Sequence, residues 1–361
     1  MRPITFSTLF GAVISALSLS LTVQAASQKR ETPRPDGSTI HWFLDLPDAP
    51  EGKVGLVVIM QGSGCEPVAK SKSLALTRAA FPEFATVTAD KYGIDPDADF
   101  EEKDNTSCPQ RYHEKSTSSQ RVADYQQILN SLSLAQWWNG RLILIGGSEG
   151  GDIAARLAAQ SRSDAVVLIS TGGGTTFGEL VRASLVEEME RQSVPPSQWL
   201  DIDGMFARAR ANPKSTEVEG GYSYRYWADS IDLKTVDDML KTAAPILLIQ
   251  GTDDTSTPLY TARTAVDTFI KEKRCNLTYW EKTGYNHSMV DPDGNNRLQE
   301  VLTQASSWVH HQLQHSNVSP CMKPNSFASH VFFPDVANRS RHLPQYLKIN
   351  EVGPICIDIS D

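Results

Sequence analysis

The chain has 361 residues, 40% of them hydrophobic and 21% charged, which is enough apolar side chain for a large core and excludes global disorder or a small disulfide-stapled fold. Its 34 Lys and Arg stand against 43 Asp and Glu for a net charge of −9, and no long basic run occurs, so nucleic acid is not an expected partner. The length fits two domains or one large α/β domain.

The first 25 residues carry a cation at Arg2, an apolar stretch diluted by Ser and Thr, and small residues Val23 and Ala25 spaced as at a cleavage site. They predict a removable signal peptide and a periplasmic or secreted product, with no stable membrane insertion after cleavage. The competing reading is a membrane anchor, since 4–23 approaches bilayer length. Cys65, Cys108, Cys275, Cys321 and Cys356 follow, with no CxxC pair at metal-ligand spacing. Disulfides are therefore expected rather than a metal site, and an odd number leaves at least one thiol over. Cys65 with Cys108 is the favoured pair, both lying in loops after neighbouring predicted strands; the competing reading is five free, buried thiols.

After a polar stretch at 27–38, apolar segments of strand length are predicted at 39–44, 54–60, 85–89, 141–145, 165–169, 245–250 and 277–280. Continuous runs such as LILI and ILLI indicate burial on both faces, the mark of a parallel α/β sheet. Helical spacing appears at 119–134, where Val122, Tyr125, Ile128, Leu129 and Leu132 fall near one face, and again at 152–160, 261–273 and 297–314. The interval between the strands at 165–169 and 245–250 far exceeds a crossover connection, so an insertion is predicted at 175–240. It carries candidate helices at 180–191 and 203–211 and an aromatic cluster, Tyr222, Tyr224, Tyr226 and Trp227. The segment 316–361 reads as an irregular tail, with Cys321 and Cys356 as candidate tethers. The expected division is thus signal peptide 1–25, catalytic domain 39–315 and tail 316–361.

The strongest chemical signal is RLILIGGSEGGDIAARLAA, a buried strand, a glycine-rich turn and a helix, with Gly146, Ser148 and Gly150 in G-x-S-x-G spacing. In that setting a sharp turn lifts Ser148 above the sheet edge as a nucleophile, and the flanking glycines remove side chains that would collide with it. The plainer reading is an anion-binding turn, but neither a GK[ST] ending nor a GxGxxG frame is present. A serine nucleophile needs a base, and the base an orienting acid. ILLIQGTDDTSTP places two carboxylates after a buried strand; Asp254 is chosen as the acid, and Asp253 reads better as a helix cap. His287, in the turn-forming TGYNHSM after a predicted strand, is the expected base. His310, His311 and His315 lie on or after the last helix, His41 in a strand, His330 and His342 in the tail, and His113 in a polar loop where a substrate contact stays open.

Oxyanion stabilisation needs preorganised donors. The backbone N–H of Glu149 comes with the turn, and the loop in VVIMQGSGCEP offers Ser63, with Gly64 as the alternative; the plainer reading is an ordinary glycine turn. Glu149 is expected to contribute only its amide, the plain role of its carboxylate being to favour the helix N-terminus electrostatically. Tyr222, Tyr226 and Trp227 are candidate substrate contacts or, equally, core.

Together GGSEGG, GTDDTSTP, GYNHSM and QGSGC resemble the α/β-hydrolase superfamily over roughly 39–315, in particular bacterial esterase and dienelactone-hydrolase-related members. The resemblance implies a mostly parallel eight-stranded sheet with helices on both faces, no cofactor and a Ser148–His287–Asp254 triad hydrolysing a small-molecule carboxylic ester. Gln61 stands where that pattern usually has His. The alternatives are an aminopeptidase-like serine peptidase and a non-catalytic binding protein that kept the fold. N-x-S/T sequons occur at Asn105, Asn276, Asn286, Asn317 and Asn338. A glycan on Asn286 would crowd His287, which favours a bacterial periplasm or exterior.

Overall fold

A computed structural model describes residues 27–48, 50–98, 107–315 and 356–360. The expected signal peptide, and the expected tail apart from 356–360, lie outside the described residues.

In chain order the strands are β1 (Gln28–Pro33), β2 (Thr39–Asp45), β3 (Val54–Met60), β4 (Ala85–Ala89), β5 (Trp138–Gly147), β6 (Ala165–Ile169), β7 (Val218–Glu219), β8 (Tyr222–Ser223), β9 (Ile246–Gly251), β10 (Leu277–Lys282) and β11 (Cys356–Ser360). The helices are α1 (Lys72–Ala79), α2 (Gln110–Lys115), α3 (Ser118–Leu132), α4 (Glu149–Gln160), α5 (Phe177–Arg191), α6 (Ile202–Ala211), α7 (Tyr224–Ser230), α8 (Thr235–Met239), α9 (Leu259–Lys271) and α10 (Leu298–Gln314).

One large sheet runs in the order β1-β2-β4-β3-β5-β6-β9-β10-β11. From β4 to β11 every neighbouring pair is parallel, while β1–β2 and β2–β4 are antiparallel. The segment expected to be irregular therefore contributes a parallel edge strand, β11, beside β10.

The continuous apolar runs become central strands because both faces are covered. Leu56, Val58 and Met60 of β3 belong to the apolar cluster that also takes in α3, α4, α8 and α9, whereas Val57 and Ile59 belong to the one that takes in α1 and α10. The polar stretch 27–38 forms β1, an edge strand that sequence reasoning passed over because only β2 pairs with it and most of its residues are exposed. Insertion helices α5, α6 and α7 share an apolar cluster of their own, built from Met189, Met205, Phe206, Tyr226, Trp227 and neighbours. A capping box opens α5, with Thr176 and Glu179 each closing on the other's backbone N–H. Among the described residues no helix is long and apolar enough to cross a membrane.

Cys65 and Cys108 form a disulfide, with Cα atoms 5.7 Å apart. Cys275 is disulfide-bonded as well. The side chain of Asn276 is turned inward, its amide donating to the carbonyls of Thr242 (3.2 Å) and Ala244 (2.8 Å), so this sequon is spent inside the fold.

The antiparallel edge is pinned by a buried ion pair. Arg34 donates from Nε and Nη2 to the two carboxylate oxygens of Asp124 on α3, both at 2.8 Å, and from Nη1 to the Thr39 carbonyl at 2.6 Å. Removing one partner leaves an uncompensated buried charge, so D124A should lower stability by about 3–5 kcal/mol. Urea unfolding followed by tryptophan fluorescence checks this; an unchanged midpoint would show that the pair does not hold the edge.

Candidate active site

Parallel strands β3, β5, β6, β9 and β10 end level at one sheet edge. The register pairs Met60 with Gly146, Gly147 with Ile169, and Lys282 with Gly251. Beyond the last rungs, the Ser148 N–H donates to Ile169 O (2.8 Å), the Ser170 N–H to Ile249 O (2.9 Å) and the Thr252 N–H to Lys282 O (3.0 Å). Loops far apart in sequence are thus tied side by side at the carboxyl ends of the strands.

Ser148 sits between β5 and α4 at φ 52° and ψ −129°, a conformation unusual for a residue with a side chain and a store of about 1–3 kcal/mol of strain. Close packing enforces it. A methyl group on Gly146 would strike the backbone of Gly150, and one on Gly150 would strike the Met60 carbonyl of β3. Gly147 is different, its nearest neighbour for an added Cβ being Ile169 O at 3.8 Å. Ser148 itself is half-buried and reachable.

Asp254 is buried and its oxygens are used in full. Oδ1 accepts from the Thr257 N–H (2.7 Å), Oδ2 from Gln250 Nε2 (2.8 Å), and His287 Nδ1 lies 3.0 and 2.9 Å from the two oxygens. A carboxylate without a proton only accepts, so this contact is satisfied by the tautomer in which Nδ1 donates, which leaves Nε2 as the ring's acceptor. Asp253 points elsewhere, its carboxylate accepting from Thr252 Oγ1 at 3.1 Å. The His287 carbonyl accepts from Ser170 Oγ at 2.9 Å, which moors the histidine loop to the strand beside Ser148. Among the described residues Ser148 Oγ makes no hydrogen bond to the imidazole; contacts of this kind often close only with substrate in place.

The β3–α1 loop lies against the elbow, since a Cβ on Gly62 would be 3.5 Å from Ser148 Cβ. Ser63 is exposed and Gly64 buried. Glu149 turns its side chain inward beneath the turn. Oε1 accepts from Arg121 Nη1 (2.5 Å) and Oε2 from the Tyr222 hydroxyl (3.4 Å). Burial alone would raise this carboxyl, but the Lys91 ammonium, and after it the Arg121 guanidinium, hold it below the ordinary carboxylate value.

Tyr226 borders a small cavity with Ser118, Asp152, Arg156 and Thr235, whose lining includes none of Ser148, Asp254 and His287. Tyr222, Tyr226 and Trp227 are all buried in the insertion's own core, with Tyr222 stacked on Tyr226 at 4.0 Å and the Trp227 indole N–H donating to Glu219 O at 2.8 Å. Aromatic composition alone does not separate pocket wall from core, and here packing against α5 and α6 decides for core. His113 lies on α2, buried beside Tyr112, and burial lowers its pKa. A cavity of about 680 Å³ lined by Arg34, Tyr92, Asp95 and Arg111 among others contains none of Ser148, Asp254 and His287.

Sequence reasoning missed Ser170, Gln250, Lys91 and Arg121. Two signals were present: Gln250 is a polar residue closing the apolar run ILLI, and Arg121 stands four residues before Tyr125 on the inward stripe of α3.

No protein-family model matches the chain, and no curated protein matches it in sequence. Solved structures do resemble it. Est1E from Butyrivibrio proteoclasticus is 16% identical, covering 80% of this chain and 99% of that one with a TM-score of 0.55, and has also been solved with ferulic acid bound. An esterase from Pyrococcus furiosus is 12% identical, covering 80% and 91% with a TM-score of 0.53. A proline iminopeptidase from Mycobacterium smegmatis is 15% identical, covering 80% and 100% with a TM-score of 0.50. At these identities the likeness is one of fold.

The steric contrast within the turn is testable by urea unfolding. G150A should cost about 1–3 kcal/mol or more through overpacking, while G147A stays within about 1 kcal/mol of wild type; equal losses would contradict the packing described.

A second test concerns Asp152, in the first turn of α4, whose carboxyl accepts from Thr235 Oγ1 of α8. Burial, opposed by that hydrogen bond, pushes it up to about 7. The unfolded chain ionises near 3.8, so stability falls as pH rises from there towards 7, the unfolded state losing the proton first. D152N removes this titration, and its stability relative to wild type should rise between about pH 4.5 and 7.5. A pH-independent difference in parallel urea melts would contradict it.

Proposed function

We propose that this chain, which has the α/β-hydrolase fold, is an exported serine hydrolase that cleaves a small-molecule carboxylic ester through an acyl-enzyme. The observation that carries the reading is the Asp254–His287 pair, doubly hydrogen-bonded at one sheet edge, with Ser148 raised on a strained turn in the neighbouring loop.

Ser148 Oγ attacks the ester carbonyl carbon while His287 Nε2 takes its proton. Asp254 holds the tautomer in which Nδ1 bears hydrogen and stabilises the imidazolium that forms. The tetrahedral oxyanion is met by the Glu149 amide at the head of α4 and by the amide of Ser63. Collapse expels the alcohol, which receives the proton from His287; water, deprotonated by the same imidazole, then releases the acid and restores Ser148. The mechanism draws on no cofactor.

Export is supported by the signal-like composition of 1–25 and by the Cys65–Cys108 disulfide, which persists in an oxidising compartment. Hydrolysis of esters rather than aminoacyl amides is the narrower claim, because the fold is shared with both an esterase and a proline iminopeptidase.

A fluorophosphonate probe should form one adduct, on Ser148, identified by peptide mass, and S148A should not react. H287A should lower kcat on p-nitrophenyl butyrate by on the order of 10⁴-fold or more, and D254N by on the order of 10⁴-fold. In a panel of p-nitrophenyl esters and aminoacyl p-nitroanilides the esters should turn over faster. Turnover confined to the anilides would make the enzyme a peptidase, and absence of both labelling and turnover would leave only a binding protein.

A further inference from the structure

Three carbonyls of the β3–α1 loop face inward onto two buried cations. Arg121 Nη2 donates to Gln61 O at 2.5 Å, and Lys91 Nζ donates to Gly62 O at 2.6 Å and also to Gly64 O. Both side chains are withdrawn from solvent, Lys91 at 4% exposure and Arg121 at 3%. A lysine so buried requires a reason, because desolvating an ammonium is costly unless it is fully partnered.

The planarity of the peptide bond supplies one. In a trans peptide the C=O of one residue and the N–H of the next point in opposite directions. With Gln61 O and Gly62 O held by the cations, the N–H groups of Gly62 and Ser63 point away from those cations, in a loop whose Gly62 lies against Ser148. Among the described residues no protein acceptor takes the amide protons of Gly62 or Ser63. The carbonyl preceding the Gly64 amide is that of Ser63, which neither cation holds, and Gly64 is buried. The cations thus favour Ser63, with Gly62 beside it, over Gly64 as donor.

We propose that Lys91 and Arg121 are positioning residues of the oxyanion loop, a role that rests on the serine-hydrolase reading: they clamp its carbonyls inward so that the amides of Gly62 and Ser63 face the reacting carbonyl. Glu149 anchors the clamp. It binds Arg121 directly at 2.5 Å and lies in the field of Lys91. The residue whose amide supplies one oxyanion donor therefore binds, through its side chain, one of the two cations that orient the others and faces the charge of the second. Arg121 thus bridges α4, through the Glu149 carboxylate, to the loop, through Gln61 O.

The test is the kinetics of K91M, K91R and R121K on p-nitrophenyl butyrate, with amide hydrogen exchange across 60–67 and a thermal melt of each variant. K91M should lower kcat about 100-fold with KM changed by less than about threefold, because misplaced donors weaken transition-state binding alone. Fluorophosphonate labelling of Ser148 should slow by a similar factor, exchange at 61–65 should quicken, and K91R should recover most of kcat. R121K keeps a cation beside Glu149 but loses the planar fork that reaches Gln61 O at the same time, so it should show the same loss in kcat, and it carries the test if K91M does not fold. Folded K91M or R121K with kcat within about twofold of wild type overturns the proposal, as does a loss borne by KM instead of kcat. Wild type indistinguishable from S148A overturns the hydrolase reading and this one with it, whereas an active wild type with an equally active K91M overturns only this one.

Discussion

Beneath the turn that carries Ser148 lies a carboxylate that water does not reach, and the arrangement above it is built around its charge. Glu149 is paired with Arg121, approached by Lys91 and touched by the Tyr222 hydroxyl of the insertion. Burying such charges costs several kcal/mol per ion unless each finds partners of good geometry, and here the loop carbonyls of Gln61, Gly62 and Gly64 complete the set. Stability alone would be served as well by apolar residues of the same volume. What the charges add is direction, since hydrogen bonds fix peptide planes in a way that apolar contacts do not.

The remainder of the site is held by the sheet. Backbone bonds beyond the ends of β5, β6 and β9 pass from Ser148 to Ile169, from Ser170 to Ile249 and from Thr252 to Lys282, so the loops that bear the serine, the aspartate and the histidine are moored to a rigid edge. Side chains refine the mooring. Ser170 holds the His287 carbonyl, Gln250 and Thr257 fix the Asp254 oxygens, and the disulfide ties Cys65, in the β3–α1 loop, to Cys108 ahead of α2. Strain at Ser148 persists because Gly146 and Gly150 let β3, β5 and α4 approach too closely for any other turn.

Much of this was legible in the sequence, for physical reasons. Central strands such as Val54–Met60 and Ala165–Ile169 declare themselves because burial on both faces demands continuous apolar runs, and α3, α4, α9 and α10 because one apolar stripe must face the sheet. The polar edge strand β1 and the short helices α1, α2, α7 and α8 carry no such demand and were not foreseen. The glycine-flanked serine, Asp254 and His287 were visible because turn chemistry at strand ends is local. Lys91 was not, because it binds the backbone carbonyls of Gly62 and Gly64, tens of residues away, and a carbonyl has no sequence signature; for Arg121 only its place on the inward stripe of α3 hinted at a buried role. The aromatic cluster was left open for a different reason: Tyr222, Tyr226 and Trp227 suit a pocket wall and a core equally in sequence, and the packing of α5 and α6 places them in a core.

Ester hydrolysis by this chain requires that residues far apart in sequence meet so that one oxygen nucleophile, one imidazole and a set of amides surround a single reacting atom. A crystal structure of the protein inactivated by a short alkyl phosphonate examines it directly. A working triad places phosphorus on Ser148 Oγ, its non-bridging oxygen within hydrogen-bonding distance of the Glu149 and Ser63 amides, and the His287 ring still on Asp254 with Nε2 facing Ser148 Oγ or the leaving-group side. An adduct on another residue, or a phosphoryl oxygen turned to solvent while those amides stay unengaged, would contradict it.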